Sequence, residues 1–143
     1  MIDTILCAVD INRPEEERGV LERAAKQADL EGAKLIVITV VPDVGSSIVG
    51  AYLEAHHVKT AKDGAGEALK TMVAGVLGED AQGDVRHIVA VGSVYEEVLN
   101  AARVANADLI VIGAHRPDFK DYLLGPNAAR VVRHSACSVY VVR

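Results

Sequence analysis

Five short apolar runs recur along the chain, each rich in Val and Ile and each separated from the next by a longer stretch of helical periodicity. Because the runs lack strict alternation of polar and apolar residues, they are typical of strands that are covered on both faces. The order β-α-β-α-β-α-β-α-β therefore predicts an α/β fold, a doubly wound five-stranded parallel sheet with helices on both faces. The predicted strands are Thr4–Asp10, Lys34–Val41, Val85–Val91, Asp108–Gly113 and Ser138–Arg143.

The stretches between the strands carry start signals for helices. Pro14 fits the first turn of a helix, and the acidic run Glu15–Glu17 complements the positive end of its dipole. Ser93, with Glu96 three residues later, predicts a capping box at the start of the third helix. The predicted helices are Pro14 to Gly32, one within Leu53–Leu77, one that follows Ser93, and Gly125 to His134.

Length and composition fit one domain with an aliphatic core. A chain of 143 residues is long enough to bury a sizeable core, so residues 1–143 are predicted to form a single domain. Only one residue is Phe and none is Trp, so the core must consist of Val, Ile, Leu and Ala. The formal net charge of −5 argues against a nucleic-acid partner.

The two cysteines and the N-terminus bear on the compartment. Cys7 and Cys137 are too few for a disulfide framework, and their apolar sequence surroundings predict buried, inert thiols. The N-terminus has no cationic region and too short an apolar stretch for a signal peptide. No segment approaches the length of a transmembrane helix. We therefore expect a cytoplasmic protein without membrane insertion.

A strand, a glycine and a helix start follow one another near the C-terminus. The predicted strand Asp108–Gly113 leads into a polar loop, and a helix is predicted to start at Gly125. Glycine lets the backbone come close to a ligand, and the free N–H groups of a helix start favour an anion. The segment 113–127 is therefore predicted to form an anion site.

Asp10 ends the first predicted strand. Ligands of open α/β sheets bind beyond the carboxyl ends of the strands, where the winding reverses. If the first and fourth strands are neighbours, Asp10 and the segment 113–127 share one crevice. Its carboxylate could accept a hydrogen bond from a ribose hydroxyl or an adenine amino group, or it could cap the next turn. The spacing alone does not decide between these two roles.

Four segments together resemble the universal stress protein family, and the resemblance covers the whole chain. They are Ile5-Leu-Cys-Ala-Val-Asp10, Asp108-Leu-Ile-Val-Ile-Gly-Ala-His115, Leu123-Leu-Gly125 and the tail Val131–Arg143. The resemblance implies an adenine nucleotide alpha-hydrolase-like fold. It also implies a stress-linked regulatory protein that binds an adenine nucleotide at the carboxyl ends of strands 1 and 4. ATP is the expected nucleotide, with ADP and AMP as alternatives and Mg²⁺ as an optional companion.

The loop pattern of the family's ATP-binding branch, G-x2-G-x9-G-[ST], is matched only in part. Gly113 and Gly125 match the first and last glycines, whereas Arg116 replaces the middle glycine and Pro126 replaces the Ser or Thr. Eight residues, not nine, separate Arg116 from Gly125. The variant His115-Arg116-Pro117 resembles a recognisable subgroup of the family in which the loop still looks nucleotide-binding.

Pro126 removes two donors from this loop. In the family, the backbone N–H at this position and the neighbouring hydroxyl bind the phosphates, and a proline supplies neither. We expect the loss to cost about 1–3 kcal/mol, or roughly ten- to a hundredfold in affinity. The N–H groups of Asn127 and Ala128 remain, and Arg116 could supply charge.

The resemblance implies a nucleotide site that holds the adenine beside the end of the second strand, at Val40. No catalytic or metal-ligating residue is predicted. The nucleotide-binding residues implied by the resemblance are Ala8, Asp10, Val40, Gly113, His115, Arg116, Gly125, Pro126 and Asn127.

The sequence also leaves two other functions open and predicts one oligomeric state. A slow ATP hydrolase or phosphotransferase would have Asp10 as its one candidate base. A nucleotide-free signalling module would act through contacts with a protein partner of unknown identity. The resemblance implies that the apolar segment Ser138–Arg143 forms a sheet edge, and an open edge strand predicts a homodimer.

Overall fold

The computed structural model describes residues 1–42, 50–114 and 125–143. Within these ranges, strands and α-helices alternate as predicted, and none of the described helices is long and apolar enough to cross a membrane. The strands are β1 (Thr4–Ala8), β2 (Lys34–Pro42), β3 (Val85–Gly92), β4 (Leu109–Gly113) and β5 (Ser138–Val142). The helices are α1 (Pro14–Glu31), α2 (Gly50–Leu77), α3 (Val94–Ala105) and α4 (Gly125–His134), and a 3-10 helix (Glu79–Asp84) precedes β3.

The five strands form one parallel sheet in the order β3-β2-β1-β4-β5. β1 lies at its centre, where Ala8 pairs with Ile38 of β2 on one side and with Ile112 of β4 on the other. This arrangement confirms the predicted doubly wound fold, and it makes the first and fourth strands neighbours. β5 pairs with β4 and lies at one edge of the sheet, as the resemblance implied.

Successive side chains of β1 point to opposite faces of the sheet, and each face is covered by two helices. Ile5 and Cys7 belong to the core shared with α1 and α2, whereas Leu6 and Ala8 belong to the core shared with α3 and α4. The helices contribute small and aliphatic residues to both cores, which explains how the chain packs with one Phe and no Trp. These helix residues include Val20, Leu21, Ala24, Leu69 and Val73 on the first face, and Val98, Ala102, Ala128 and Val131 on the second.

The helix ends follow the sequence signals with one exception. Gly32 ends α1 in the left-handed conformation, with φ of 64°, as its lack of a Cβ allows. Ser93 occupies the N-cap of α3, but its side chain makes no capping hydrogen bond, so the predicted capping box is wrong. The carboxylate of Glu96 instead accepts a hydrogen bond from the hydroxyl of Tyr95 at 3.1 Å.

The chain leaves the sheet slightly earlier than predicted at the end of the first strand. β1 ends at Ala8, although the N–H of Val9 still donates to the carbonyl of Ile38 at 3.0 Å. A turn then closes where the N–H of Arg13 donates to the carbonyl of Asp10 at 3.1 Å. Asp10 therefore lies just beyond the strand, at the entrance to α1.

The two cysteines differ in environment. Cys7 is fully buried in the sheet, and burial, with a smaller contribution from the Glu17 carboxylate, strongly raises the pKa of its thiol. The burial of this thiol is as predicted. Cys137 is only half-buried, because it precedes the edge strand β5, so the prediction of full burial is wrong there. Its Sγ lies 3.4 Å from Oγ of Ser135.

Candidate functional site

The winding of the sheet reverses between β1 and β4. The helices that follow β1 and β2 cover one face, and the helices that follow β3 and β4 cover the other. At such a switch point the loops after the two central strands part and leave a crevice at their carboxyl ends. Asp10 follows β1 and Gly113 ends β4, so the structure places both at this crevice. Val40 lies near the carboxyl end of the neighbouring β2, and therefore at the same end of the sheet.

Asp10 is the buried carboxylate of the crevice, with 6% of its surface exposed. Its Oδ1 accepts the N–H of Asn12 at 2.9 Å, so the capping role considered for it is real. Its own N–H donates to Oε1 of Glu17, also at 2.9 Å. The second carboxylate oxygen, Oδ2, has no hydrogen bond to any part of the chain that the structure describes. Asp10 therefore caps its turn and still has one oxygen that can accept a hydrogen bond from a ligand.

A small apolar pocket adjoins this carboxylate. This notch has a volume of about 10 Å³, which holds about one water molecule. Three of the predicted site residues, Ala8, Asp10 and Val40, line it together. Sequence reasoning missed the other wall, which α3 supplies. The remaining lining residues are Val9, Ile38, Val94 and Val98.

Neither Val94 nor Val98 is among the site residues that the sequence predicts. Both are buried, one turn apart on the inner face of α3. Because α3 starts directly after β3, its first turn reaches the carboxyl ends of the strands. Their spacing of four residues and their position after a strand end could have indicated this wall.

On the β4 side of the crevice, the structure describes the end of β4 and the start of α4. Gly113 is buried at the end of β4 and pairs with Val142 of β5. α4 begins at Gly125, as predicted, with Pro126 exposed and Asn127 half-buried in its first turn. Proline is well suited to this position because its missing N–H has no intrahelical partner there.

The predicted site residues His115 and Arg116 lie outside the described residues. The described part of the site therefore consists of the end of β1, the end of β2, the last residue of β4 and the first turns of α3 and α4. Within the described ranges, no group of three or more His, Cys, Asp or Glu side chains is arranged to hold a metal ion.

A larger cavity lies elsewhere, between α3 and α4. It measures about 600 Å³, and Leu99, Arg103, His134 and Cys137 are among its lining residues. Size alone would favour this groove as a binding site. None of the described site residues lines it. The topology of the sheet therefore favours the crevice, despite its smaller volume.

A parallel sheet with this strand order and a carboxylate at its switch point defines the doubly wound α/β class that binds small ligands at the strand ends. Within that class, the chain belongs to the universal stress protein family, whose family model matches residues 1–143.

Known proteins agree with this assignment along the whole chain. Universal stress protein G of Escherichia coli O157:H7 is 31% identical over 147 residues, which cover 100% of both proteins. Universal stress protein UspA from Lactobacillus plantarum superposes with a TM-score of 0.78 at 21% identity, covering 99% of this chain and 98% of that one. The universal stress protein from Archaeoglobus fulgidus in complex with dAMP gives a TM-score of 0.61 at 22% identity, covering 100% of both chains.

Proposed function

We propose that this protein is a single-domain, cytoplasmic regulator in the stress response that binds an adenine nucleotide, ATP foremost, in the crevice between β1 and β4. The observation that carries the proposal is the position of Asp10. Its Oδ2 is available as an acceptor beside an apolar pocket, and it lies at the switch point of the sheet. A hydrogen-bond acceptor beside an apolar surface suits a nucleoside, which offers hydroxyl or amino donors beside a flat ring.

The adenine is proposed to lie against the outer side of the pocket, next to Val40. The notch itself is too small to enclose a purine, so the ring would rest on its aliphatic walls and expose its outer edge. Asp10 would then accept a hydrogen bond from the ribose or the adenine amino group. The relative from Archaeoglobus fulgidus, whose structure contains dAMP, supports a nucleotide of this type.

The phosphates are proposed to lie toward Gly113 and the first turn of α4. Gly113 and Gly125 would let the backbone approach the ligand, and Asn127 would present its N–H at the helix start. His115 and Arg116 are proposed to complete this side, in the manner of the subgroup with the His-Arg-Pro loop. Pro126 withholds one N–H and one hydroxyl, so the nucleotide would be held mainly by its adenosine half.

Equilibrium binding tests the proposal directly. Isothermal titration calorimetry with ATP, ADP, AMP and adenosine, each with and without Mg²⁺, should give measurable affinity for the ATP-containing samples. A parallel turnover assay separates a binder from a slow hydrolase or phosphotransferase. If no adenine nucleotide binds, the alternative of a signalling module that acts only through a protein partner replaces this proposal.

We also propose that two copies of the chain associate through β5. β5 lies at the edge of the sheet, and its five residues are mostly aliphatic. An open edge strand presents unpaired backbone groups, which an antiparallel copy related by a two-fold axis can satisfy on both sides at once.

A further inference from the structure

A fully buried carboxylate lies directly behind the crevice. Glu17 is 0% exposed, although Glu15 and Glu16 in the same first turn of α1 are exposed. Burying a carboxylate is costly unless hydrogen bonds compensate for the lost water. Helix-dipole complementation does not require burial, so the position of Glu17 calls for a further role.

Glu17 makes hydrogen bonds to both ends of the turn between β1 and α1. Its Oε1 accepts the N–H of Asp10 at 2.9 Å, and its own N–H donates to the carbonyl of Arg13 at 3.0 Å. Within the loop so formed, Oδ1 of Asp10 accepts the N–H of Asn12. The backbone of Asp10 and one of its carboxylate oxygens are therefore both fixed before any ligand arrives.

Glu17 is linked to the crevice through the backbone of Asp10. Its side chain is not among the residues that line the pocket beside Asp10. It accepts the backbone N–H of Asp10, and the Asp10 carboxylate accepts the N–H of Asn12 through Oδ1, which leaves Oδ2 for a ligand. A group in this position can orient the binding carboxylate without touching the nucleotide.

We infer that Glu17 is a positioning residue for nucleotide binding, and that it keeps the Asp10 carboxylate in the orientation that accepts a hydrogen bond from the nucleoside. The inference rests on the proposed function. Its physical basis is preorganisation, since a carboxylate that is already held in one orientation loses little conformational freedom when the ligand binds. Without the acceptor at position 17, the Asp10 amide would lose its partner and the turn would sample other conformations.

Two substitutions at one position separate the acceptor from the charge. Glu17→Gln keeps an oxygen that can accept the Asp10 N–H. Glu17→Met removes the acceptor and keeps a similar volume. Glu22→Ala is the matched control, since Glu22 is exposed on the same helix and pairs with Arg18.

Calorimetric titration with ATP should show Glu17→Met weakened by about five- to tenfold and Glu17→Gln within about twofold of wild type. The double variant Glu17→Met/Asp10→Ala should bind no more weakly than Asp10→Ala alone, because residues that act as one unit are not additive. A general loss of stability would move the melting temperature but would not produce this coupling. Glu22→Ala should bind as wild type does.

A measurement without ligand tests the same link. Hydrogen exchange followed by NMR should show a protected Asp10 amide in the wild type and in Glu17→Gln, and faster exchange in Glu17→Met. Additive effects of the two substitutions, a Gln variant as weak as the Met variant, or an Asp10 amide indifferent to Glu17→Met would each overturn the inference alone. A wild-type protein that binds no adenine nucleotide would overturn the proposed function, and the positioning role with it.

Discussion

Asp108 and Thr4 are joined by two hydrogen bonds that tie the start of β4 to the start of β1. The N–H of Asp108 donates to the carbonyl of Thr4 at 2.9 Å, and Oδ2 of Asp108 accepts the N–H of Thr4 at 3.1 Å. The same oxygen accepts the N–H of Asp3 at 2.8 Å. These central strands carry Asp10 and Gly113 at their other ends. The hydrogen bonds of Asp108 therefore fix the two strands on which the crevice depends.

Low pH should weaken the hydrogen bonds that the Asp108 carboxylate accepts. The N–H groups of Asp3 and Thr4 lower the pKa of Asp108 below its ordinary value of 3.8. A carboxylate with a lowered folded-state pKa contributes stability above that ordinary value and loses it as the pH falls through the folded-state pKa. Asp108→Ala should therefore lower the urea midpoint at pH 7, and its difference from wild type should shrink as the pH falls below about 3.8.

Urea unfolding at a series of pH values measures this difference. Asp63→Asn is a suitable control, because Asp63 is exposed on α2. A deficit of Asp108→Ala that stays constant from neutral to acid pH would show that the charged carboxylate does not supply the stability.

The carboxylate of Asp10 should contribute to binding of the nucleoside and not of the phosphates. Asp10→Ala is expected to weaken ATP and adenosine to a similar extent, by about ten- to a hundredfold, because an acceptor for a ligand donor is lost. Gly113→Val should also weaken ATP, since a branched side chain would fill the space where the backbone meets the ligand. Asp29→Ala, exposed near the other end of α1, is the control for titration calorimetry. Unchanged ATP affinity in both Asp10→Ala and Gly113→Val would show that the site is misplaced.

The proline at the start of α4 should distinguish the phosphates from the nucleoside. Pro126→Ser restores one backbone donor and one hydroxyl, so ATP should bind about tenfold more tightly while adenosine changes little. Arg116→Ala should have the opposite effect on ATP, because it removes a strong cation from the loop. Titration of ATP and of adenosine into both variants measures the ratio of the two affinities. Equal changes for ATP and adenosine would mean that neither residue faces the phosphates.

Gly92 should not tolerate a side chain. Its φ is 148°, and a Cβ built there would lie 2.8 Å from Oε1 and 3.2 Å from Cγ of Glu97. Gly92→Ala should lower stability by about 1–2 kcal/mol through backbone strain and crowding together. Glu97→Ala in the same chain removes the crowding and leaves the strain, so the double variant should recover only part of the loss in urea unfolding. Full recovery would assign the whole effect to the side-chain contact.

The sequence predicted the sheet more completely than the site, for a physical reason. Val- and Ile-rich runs indicate strands that are buried on both faces, and such strands are typical of a parallel sheet covered by helices. The role of Glu17 was missed because the acidic run Glu15–Glu17 matched the helix dipole as a group. The helical periodicity indicated that Glu17 is buried, since it shares the inner face of α1 with Val20, Leu21 and Ala24. The Ser93 side chain makes no capping hydrogen bond, and the Glu96 carboxylate accepts one from Tyr95 instead, a contact that spacing rules do not include.

The free edge of β5 allows a sharp test of the proposed dimer. The N–H of Ala114 donates to the carbonyl of Val142 at 2.8 Å, so the backbone groups of Val142 point toward β4. Because backbone groups alternate along a strand, those of Val141 point to the open edge. Val141→Pro therefore removes an outward donor and should weaken the dimer without breaking the pairing with β4. Val142→Pro is the matched contrast, and it should lower the stability of the fold itself.

Val139→Lys tests the side-chain contribution to the same contact. Val139 is half-buried on the α3 and α4 side of the sheet, so this variant needs a melting curve beside the sedimentation measurement. Sedimentation velocity at micromolar concentration should give a dimer for the wild type and more monomer for Val141→Pro and Val139→Lys. A wild-type monomer under these conditions would contradict the proposal. A dimer that is indifferent to both variants, with both folded, would mean that the contact lies on another surface, because the edge of β5 would then carry none of the association energy.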